Sequence, residues 1–351
     1  MDTEQRKIPD YGDTAVWAVT PGGEELGARL CAKLPNALLY LPSKHTASTA
    51  KDVQLYDSLP DRIQKEFHHH RTHIFIFATG IAVRLIAPFL QCKTKDPAVI
   101  VLDEKAQFAI SLVSGHLGGA NEMTRKIAAA IGAVPVITTA TDLNDLPAID
   151  LMALNRGLTI ETPENIKHVN MAFIKGRKIS AFDPMGLIAP DLPENLIKKV
   201  GADHSPWDLI CTMETKKVSR ETLILRPRVL SVGIGCNRNT SAEEILGLLA
   251  AVFKQNHLSP FSIKSIASAE VKKDEAGLIE AANRQTLPIV FYSKDELNRV
   301  NTVENPSKMA EKHIGVKSVC EAAAILGARK GKLLVPKQKT KNATLAVAVI
   351  Q

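Results

Sequence analysis

Residues 98–136 read AVIVLDEKAQFAISLVSGHLGGANEMTRKIAAAIGAVPV, and this stretch decides the fold class. The apolar runs 98–102 and 108–113 predict strands, because short uninterrupted runs of this kind are typical of buried strands. A glycine-rich loop follows over residues 115–120. The helical spacing over 121–131 then ends at Gly132, a C-cap candidate. A further apolar run begins at Pro135. Strands that alternate with helices on this scale predict an α/β fold.

The same alternation extends towards the N-terminus. The apolar run 73–77 predicts a strand that is buried on both faces, and a helix is predicted over 83–90. Residues 15–20 predict a strand, 24–34 a helix and 37–41 a second strand. Crossovers of this kind favour a parallel sheet.

Three regions are expected along the chain. Residues 1–142 predict an N-terminal parallel-sheet α/β domain that carries the glycine-rich loop. Residues 143–227 are less regular and predict a small, irregular middle region. A strand over 228–235, followed by a helix that Thr240 or Ser241 can cap, opens a separate C-terminal α/β domain over 228–351.

The composition excludes several classes of protein. The 351 residues are 45% hydrophobic and 23% charged, which is ordinary for globular proteins and excludes disordered chains, collagen and disulfide scaffolds. Five cysteines without motif spacing predict reduced thiols in the cytoplasm. The N-terminus lacks the apolar core of a signal peptide, and no apolar run approaches the ~20 residues that span a bilayer. We therefore expect a cytoplasmic protein without a membrane partner.

The net charge of +7 lies in the last third of the chain. Residues 228–351 hold 18 Lys and Arg against 11 Asp and Glu, whereas the preceding residues are balanced. No acidic residue follows Glu321, although six basic ones do: Arg329, Lys330, Lys332, Lys337, Lys339 and Lys341. This segment is expected either to face an anionic partner or to form a solvated edge.

The strongest candidate for a functional site is the glycine-rich loop before the helix over 121–131. Its glycines allow a ligand to approach the backbone, and N–H groups at a helix N-terminus suit a carboxylate or an oxyanion. His116 lies in this loop, where a neutral imidazole can act as a general base. The alternative is a tight turn around a buried, hydrogen-bonded histidine. The binding residues predicted here are Ser114, Gly115, Gly118, Gly119 and Asn121.

Two further loops follow strands in the same domain. Thr138, Thr139 and Asp142 place hydroxyls and a carboxylate after a strand, where open α/β sheets bind ligands. Gly80 and Arg84 have the same position after another strand, and the guanidinium can hold a carboxylate. The alternatives are a helix cap or Asx turn for the first loop and a surface arginine for the second. Three such loops in one domain favour a ligand site more than any one of them does.

The C-terminal region offers weaker candidates. Residues 233–238, which include Gly235 and Arg238, are interpreted as a backbone nest at the end of a strand and before a helix, which suits an anion. Ser268 lies in a predicted polar turn, and Ser318 at a predicted helix start. Cys236 and Cys320 have no histidine adjacent in sequence, so buried, inert thiols are the preferred interpretation.

Two further polar segments of the N-terminal region are interpreted as structural. The histidine-rich segment 68–73 is interpreted as the polar start of a strand rather than a metal site, and Asp103 and Glu104 are interpreted as a turn.

These motifs resemble those of the cobalamin-biosynthesis CbiG family, the cobalt-precorrin-5A hydrolases of the anaerobic vitamin B12 pathway. The similar stretches include TGIAVRLIAPFL, SLVSGHLGGANE and PVITTATD, and VGIGCNRNTSAEEI, IASAEVKKDEAGL and GVKSVCEAAA in the last region. They cover both ends of the family's three-part layout, and the middle region matches by position only. Asn239 departs from the pattern, because a small residue, often glycine, is expected there.

The resemblance implies a hydrolase that acts on a cobalt-bearing tetrapyrrole. It implies opening of a δ-lactone and expulsion of the meso carbon with its methyl group as acetaldehyde, to give cobalt-precorrin-5B. It also implies that no redox or nucleotide cofactor takes part, and that cobalt belongs to the substrate. No protein-bound metal is expected.

Residue type and loop position suggest roles in such chemistry. His116 is expected to be the base, steered by Asp142 or Glu122, with the N–H groups of Gly118 and Gly119 as oxyanion donors. Arg84 and Arg238 are expected to hold peripheral carboxylates of the substrate.

The residues are also compatible with other functions. A non-catalytic carrier of a corrinoid intermediate would need the basic C-terminal face but not His116 and Asp142 together. A dinucleotide-dependent enzyme lacks its glycine fingerprint, and nucleic-acid binding lacks a motif and aromatic platforms. Expected partners are the anionic tetrapyrrole, other enzymes of the cobalamin pathway and, as an open alternative, a second copy in a homodimer.

Overall fold

A computed structural model describes residues 14–44, 52–92, 95–116, 118–144, 146–306, 311–312 and 314–350. The chain forms two compact units, Met1–Asn155 and Arg156–Gln351. Both are built from β-sheets with flanking helices, so the predicted α/β class is confirmed. Among the described residues, no helix is both long and apolar enough to span a membrane.

The first unit contains a seven-stranded sheet with the order β3-β2-β1-β4-β5-β6-β7. Its strands are β1 (Thr14–Ala18), β2 (Leu38–Pro42), β3 (Val53–Tyr56), β4 (Thr72–Ile76), β5 (Ala98–Leu102), β6 (Phe108–Val113) and β7 (Val134–Val136). Its helices are α1 (Pro21–Cys31), α2 (Leu59–Glu66), α3 (Thr79–Ile86), α4 (Ala120–Ile131), α5 (Ala140–Leu143) and α6 (Ile149–Asn155).

Strands β1 to β5 are parallel to one another, as the crossovers predict. The central strands β1, β4 and β5 are buried along their whole length, because helices cover both faces of the sheet. Helices α1 and α4 pack on one face through residues such as Leu26, Leu30 and Ile127. Helices α2 and α3 pack on the other face, through Ile63 of α2 and Ala82 of α3.

Strand β6 reverses direction and pairs with β5 in an antiparallel hairpin. The turn prediction for Asp103 is confirmed, since its carboxylate accepts hydrogen bonds from the backbone N–H groups of Lys105, Gln107 and Phe108. Strand β7 is parallel to β6. The hairpin therefore places the end of β6 at the amino edge of the parallel strands, not at their carboxyl edge.

The end of one helix agrees with the boundary predicted from local sequence, and the start of another does not. Helix α4 ends at Gly132 with φ 76°, which confirms the C-cap predicted there. Helix α3 begins at Thr79 rather than at residue 83, because the predicted turn residues Thr79 and Gly80 form its first turn.

The second unit begins with a five-stranded sheet of order β10-β9-β11-β12-β8. Its strands are β8 (Leu158–Ile160), β9 (Ile179–Phe182), β10 (Ile197–Lys199), β11 (Leu209–Cys211) and β12 (Leu223–Pro227), and α7 (Ile166–Ile174) contacts β9 and β12. The region is thus more regular than its sequence suggests, because its strands are too short for a clear periodicity.

A second five-stranded sheet, of order β15-β14-β13-β17-β16, completes the unit. It contains β13 (Leu230–Cys236), β14 (Ile263–Ala269), β15 (Ile289–Tyr292), β16 (Lys332–Lys339) and β17 (Ala343–Val349). Its helices are α8 (Ala242–Gln255), α9 (Ala276–Arg284), α10 (Lys294–Asn298) and α11 (Cys320–Gly327). Ser241 caps α8, whereas the side chain of Glu244 bonds Thr340 and Asn342 instead of closing a capping box.

Candidate active site

The three candidate loops of the first unit lie at strand ends, but at two different edges of the sheet. The glycine-rich loop follows β6 at the amino edge, where the Ser114 hydroxyl donates to the carbonyl of Asp96, two residues before β5. Thr138 and Thr139 follow β7, which is parallel to β6, so they share this edge. Gly80 follows β4 at the opposite, carboxyl edge. The hairpin between β5 and β6 therefore separates Gly80 from the glycine-rich loop.

The glycine-rich loop is held closed by its own backbone. The N–H of Ala120 donates to the Ser114 carbonyl at 3.1 Å, that of Asn121 to Gly115 at 2.9 Å, and that of Gly119 to His116 at 2.9 Å. A side chain at Gly118 would meet the Ser114 Cβ at 2.3 Å, so this position requires glycine. Because the Gly119 N–H is already bonded within the loop, the expectation that it serves as an oxyanion donor is wrong for this conformation.

His116 stands between two carboxylates. Its Nε2 lies 3.0 Å from Oδ2 of Asp142 and 3.0 Å from the hydroxyl of Thr141, both on α5. Its Nδ1 faces Oδ1 of Asp150, on α6, at 3.7 Å. At this distance the Asp150 contact is longer than a direct hydrogen bond. The structure thus brings together His116 and Asp142, which the sequence placed on separate loops, and adds Asp150.

Asp142 has two further donors on α4. Asn121 Nδ2 donates to Oδ2 at 2.8 Å, and Arg125 Nη2 donates to Oδ1 at 2.5 Å. The buried amide of Asn121 also donates to Thr139 Oγ1 and accepts from the Ser111 hydroxyl. The polar groups of α4, α5 and the loop therefore form one hydrogen-bonded cluster at the amino edge of the sheet.

The electrostatics of the cluster favour its charged form. The pKa of His116 is raised, chiefly by the Asp150 carboxylate and against the opposing effect of burial, and Asp142 adds to the increase. Although burial opposes it, Arg125 and His116 hold the pKa of Asp142 below its usual value. The pKa of Asp150 is likewise lowered by His116 despite burial. All three shifts run in the direction expected when an imidazole pairs with two carboxylates.

Several predicted site residues lie outside this cluster. The carboxylate of Glu122 is exposed and forms an ion pair with Lys126 at 2.7 Å, so it does not steer His116. Thr138 is exposed, and Thr139 contacts the cluster through its hydrogen bond with Asn121. Arg84 is exposed on α3, which packs on the face of the sheet opposite to α4.

Three candidate residues of the C-terminal region, Gly235, Ser268 and Ser318, make hydrogen bonds that stabilise the fold. Gly235 is buried within β13, not in a loop, and its carbonyl accepts from the Thr344 hydroxyl. Ser268 is fully buried within β14 and donates to the Ile234 carbonyl, and buried Ser318 accepts from the Glu321 N–H. None of these groups is presented to a ligand, because each points into a packed sheet or helix start.

Arg238 is exposed but already has two anionic partners. It pairs with Asp274 at 2.7 Å and with Glu275 at 3.0 Å. Its capacity to hold a substrate carboxylate is correspondingly reduced. Burial raises the pKa values of the thiols of Cys236, which is half-buried, and Cys320, which is buried, and this agrees with their interpretation as inert.

In the described part of the chain, no group of three or more His, Cys, Asp or Glu side chains could hold a metal ion. Within the histidine-rich segment, His73 lies in β4 and is fully buried. Its ring bonds Trp17 and the carbonyl of Phe67 rather than facing an ion.

Asp150, Thr141 and Arg125 are the members of the cluster that the sequence did not reveal. Arg125 and Thr141 lie one turn or one residue from predicted members, so helical spacing offered some signal. Asp150 lies 34 residues after His116, at the start of a helix without any motif. Only the packing of α6 brings it to the imidazole.

Comparison with known proteins places this site in a family. Models of that family match three consecutive parts of the chain: Cobalamin synthesis G N-terminal at 61–142, Cobalamin biosynthesis central region at 147–227, and Cobalamin synthesis G C-terminus at 230–348. A relative from Priestia megaterium, named cobalt-precorrin-5A hydrolase, is 34% identical and is aligned over 99% of this chain and 98% of its own. The chain belongs to the cobalamin synthesis G family.

Other members of the cobalamin synthesis G family match over similar lengths. A cobalt-precorrin-5A hydrolase from Salmonella typhimurium is 31% identical over 95% of this chain and 97% of its own. A probable cobalt-precorrin-5A hydrolase from Methanocaldococcus jannaschii is 28% identical over 87% of this chain and 95% of its own. The similarity thus includes the glycine-rich loop, the middle sheet and the C-terminal sheet of one chain.

Proposed function

We propose that this protein is a cobalt-precorrin-5A hydrolase of cobalamin biosynthesis. The observation that carries the proposal is the 34% identity to a relative of that name over 98% of the relative's length. A similarity that spans all three regions supports the activity of the whole protein rather than of one module. The cluster around His116 supports a hydrolytic reaction, because it places a partly exposed imidazole, a side chain suited to proton transfer, beside two carboxylates.

The proposed reaction is the opening of a lactone on the cobalt-bearing macrocycle. Water adds to the lactone carbonyl, the bond between the acyl carbon and the ring oxygen breaks, and the meso carbon keeps that oxygen as a hydroxyl group. This hydroxyl then loses its proton as its carbon becomes acetaldehyde, and the electrons of the broken carbon–carbon bond stay with the macrocycle. Both steps need proton transfer at oxygen, which the partly exposed His116 and Asp142 can provide.

The proposal includes an anionic tetrapyrrole as substrate, with cobalt as part of that substrate and no redox or nucleotide cofactor. The excess of 18 basic over 11 acidic residues in 228–351 supports binding of its peripheral carboxylates. A cytoplasmic location, contact with other enzymes of the pathway and a homodimer belong to the same proposal.

The activity is tested by anaerobic incubation of the pure protein with cobalt-precorrin-5A and capture of acetaldehyde by an NADH-coupled alcohol dehydrogenase. We expect release of one acetaldehyde per macrocycle, and His116→Ala is expected to lose at least about a hundredfold in rate, because a proton-transfer group contributes ~10²-fold or more. Full release by His116→Ala would contradict a role for this residue.

A corrinoid carrier is the competing function. It predicts tight binding of cobalt-precorrin-5A, seen by a shift in the absorption of the macrocycle, without any acetaldehyde. That outcome would overturn the hydrolase proposal, whereas weak binding together with turnover supports it.

A further inference from the structure

The two ring nitrogens of His116 face carboxylate oxygens from two different helices. Nε2 meets Asp142 Oδ2 at 3.0 Å, and Nδ1 meets Asp150 Oδ1 at 3.7 Å. A neutral imidazole carries a single N–H, so one of these carboxylates would face a lone pair and be repelled. Only the imidazolium presents a proton to both. The geometry therefore disagrees with the neutral base that the sequence suggested.

The charges around the ring balance only when His116 is protonated. Arg125 on α4 is the other cation of the cluster, and it stands against the two carboxylates Asp142 and Asp150. On the same helix, Glu122 and Lys126 neutralise each other in an exposed pair. The carboxylate of Asp96, before β5, is directed to the backbone N–H of Gln91. A neutral His116 would leave the cluster with an uncompensated negative charge.

The two carboxylates differ in what else they bind. Asp142 retains Arg125 and Asn121 when the imidazole turns away, so Nε2 can leave it at small cost. Asp150 is buried, with its side chain 6% exposed, and apart from His116 its carboxylate accepts only from backbone N–H groups, those of Leu151 and of Asp150 itself, among the described residues. Losing His116 would leave this buried charge without a counter-ion, which is costly. The Asp150 contact is thus the one retained, and Nε2 carries the mobile proton.

We propose that Asp150 is a positioning residue that holds His116 as an imidazolium, and that His116 Nε2 is the proton donor of the proposed hydrolysis. This inference rests on the proposed function. In the lactone-opening step, the oxygen of water forms the new bond to the acyl carbon as the bond to the ring oxygen breaks. The Nε2 proton passes to that departing oxygen, and the proton lost by the water returns to Nε2. Atoms and charge balance without a further reactant.

The protonation state is tested without turnover, by ¹H–¹³C NMR titration of the histidine Cε1–H groups in the full-length protein, with His116 assigned by loss of its signal in His116→Gln. We expect the midpoint of His116 to lie above the ordinary histidine value of about 6.5. Asp150→Asn should lower this midpoint by about one pH unit or more, since it removes the buried counter-ion. Asp57→Asn changes the charge equally at an exposed position between β3 and α2 and should leave the midpoint unchanged.

The role of the proton is tested by the pH dependence of kcat for acetaldehyde release. A proton donor loses activity as pH rises through its pKa, so the alkaline limb of wild type should coincide with the NMR midpoint of His116. In Asp150→Asn this limb should move to lower pH by the same amount, with KM changed less than twofold. Asp57→Asn should keep the limb of wild type.

Each outcome decides the inference. A His116 midpoint at or below 6.5 in wild type overturns the imidazolium, and a kcat limb that stays in place while the midpoint moves overturns the proton donor. An unfolded Asp150→Asn protein is replaced by Asp150→Glu, which keeps the charge and should restore the wild-type limb. If wild type releases no acetaldehyde, the proposed function fails, and the NMR titration alone still decides the state of His116.

Discussion

His73 shows how one buried side chain can make the stability of a domain depend on pH. Its Nδ1 accepts a hydrogen bond from the Trp17 indole at 3.1 Å, so its Nε2 carries the proton and donates to the Phe67 carbonyl at 3.0 Å. The ring is also stacked on Phe67 and Phe75. Complete burial therefore lowers the pKa of His73 to about 3, because a second proton would have to face the indole N–H.

The first unit should lose stability in weak acid through His73. The folded pKa lies below the unfolded value of about 6.5, so the unfolded chain takes up a proton that the folded chain refuses as pH falls. Between pH 7 and pH 5 this costs about 2 kcal/mol. Urea unfolding followed by Trp17 fluorescence in a Trp207→Phe background measures it.

The matched variants are His73→Phe and His69→Gln. His73→Phe should be less stable at pH 7, because it leaves the Trp17 N–H unbonded, but its stability should change less between pH 7 and pH 5. The exposed His69 should leave the wild-type dependence in place when it is replaced. An unchanged pH dependence in His73→Phe would contradict this account.

Asn239, which departs from the family pattern, has the backbone conformation of a glycine. It adopts φ 62°, in the left-handed region where glycine is preferred and asparagine is tolerated better than most residues. Its N–H donates to the buried carboxylate of Glu275 at 3.2 Å. The backbone conformation expected of a glycine is therefore retained by this residue.

At the scale of elements, the glycines of β13 allow a helix to pack directly on the sheet. A Cβ at Gly233 would lie 1.9 Å from the Cys320 carbonyl oxygen in the first turn of α11. The sequence suggested an anion-binding backbone in this segment, but the glycine is required by the close approach of α11.

Alanine substitutions at Gly233 and Gly247 distinguish the effect of close packing on stability from the effect of helix propensity. Gly233→Ala should lower the free energy of unfolding by at least ~2 kcal/mol, because backbone atoms of α11 must move. Gly247→Ala, in α8, has open space around its Cβ and should raise it by ~0.5–1 kcal/mol. Urea unfolding of both variants is the measurement, and a neutral Gly233→Ala would show that α11 does not pack as described.

The local patterns predicted most elements of the first unit but not their arrangement. The apolar runs at β4, β5 and β6 and the cap at Gly132 could be found because each depends on residues close in sequence. The edge at which the glycine-rich loop lies depends on the β5–β6 hairpin, and its direction depends on pairing between strands. The three sequence regions 1–142, 143–227 and 228–351 stay a prediction, although Asp150 beyond the first boundary completes the His116 cluster.

At the scale of the whole molecule, the basic C-terminal segment is partly committed to the fold. Lys337 donates its ammonium group to the carbonyls of Asn305 and Pro306, and its N–H bonds the buried carboxylate of Glu321. Lys330 and Lys332 are exposed beside the turn between α11 and β16. Of these three lysines, the exposed pair is the better candidate for contact with an anionic macrocycle.

Reversal of the charges of Lys330 and Lys332 tests whether these lysines attract the anionic substrate. Lys330→Glu/Lys332→Glu should raise KM for cobalt-precorrin-5A about tenfold at low salt and leave kcat nearly unchanged, since the charges attract substrate but do not react. The effect should shrink at high salt. Lys65→Glu/Lys254→Glu makes the same change in net charge at exposed positions elsewhere, and an equal rise in KM there would return Lys330 and Lys332 to a solvated edge.

The sequence by itself determined the α/β class, the family and the position of the candidate loops directly after strands. These features follow from local periodicity and from motifs in a fixed order. Only the tertiary structure decided that Gly80 and His116 lie at opposite edges, that Ser268 and Gly235 are buried, and that Asp150 meets Nδ1 of His116. Strand direction and helix packing join residues far apart in the chain, and no local pattern records them. The charge state of His116 follows from that packing, since the two carboxylates beside it come from different helices.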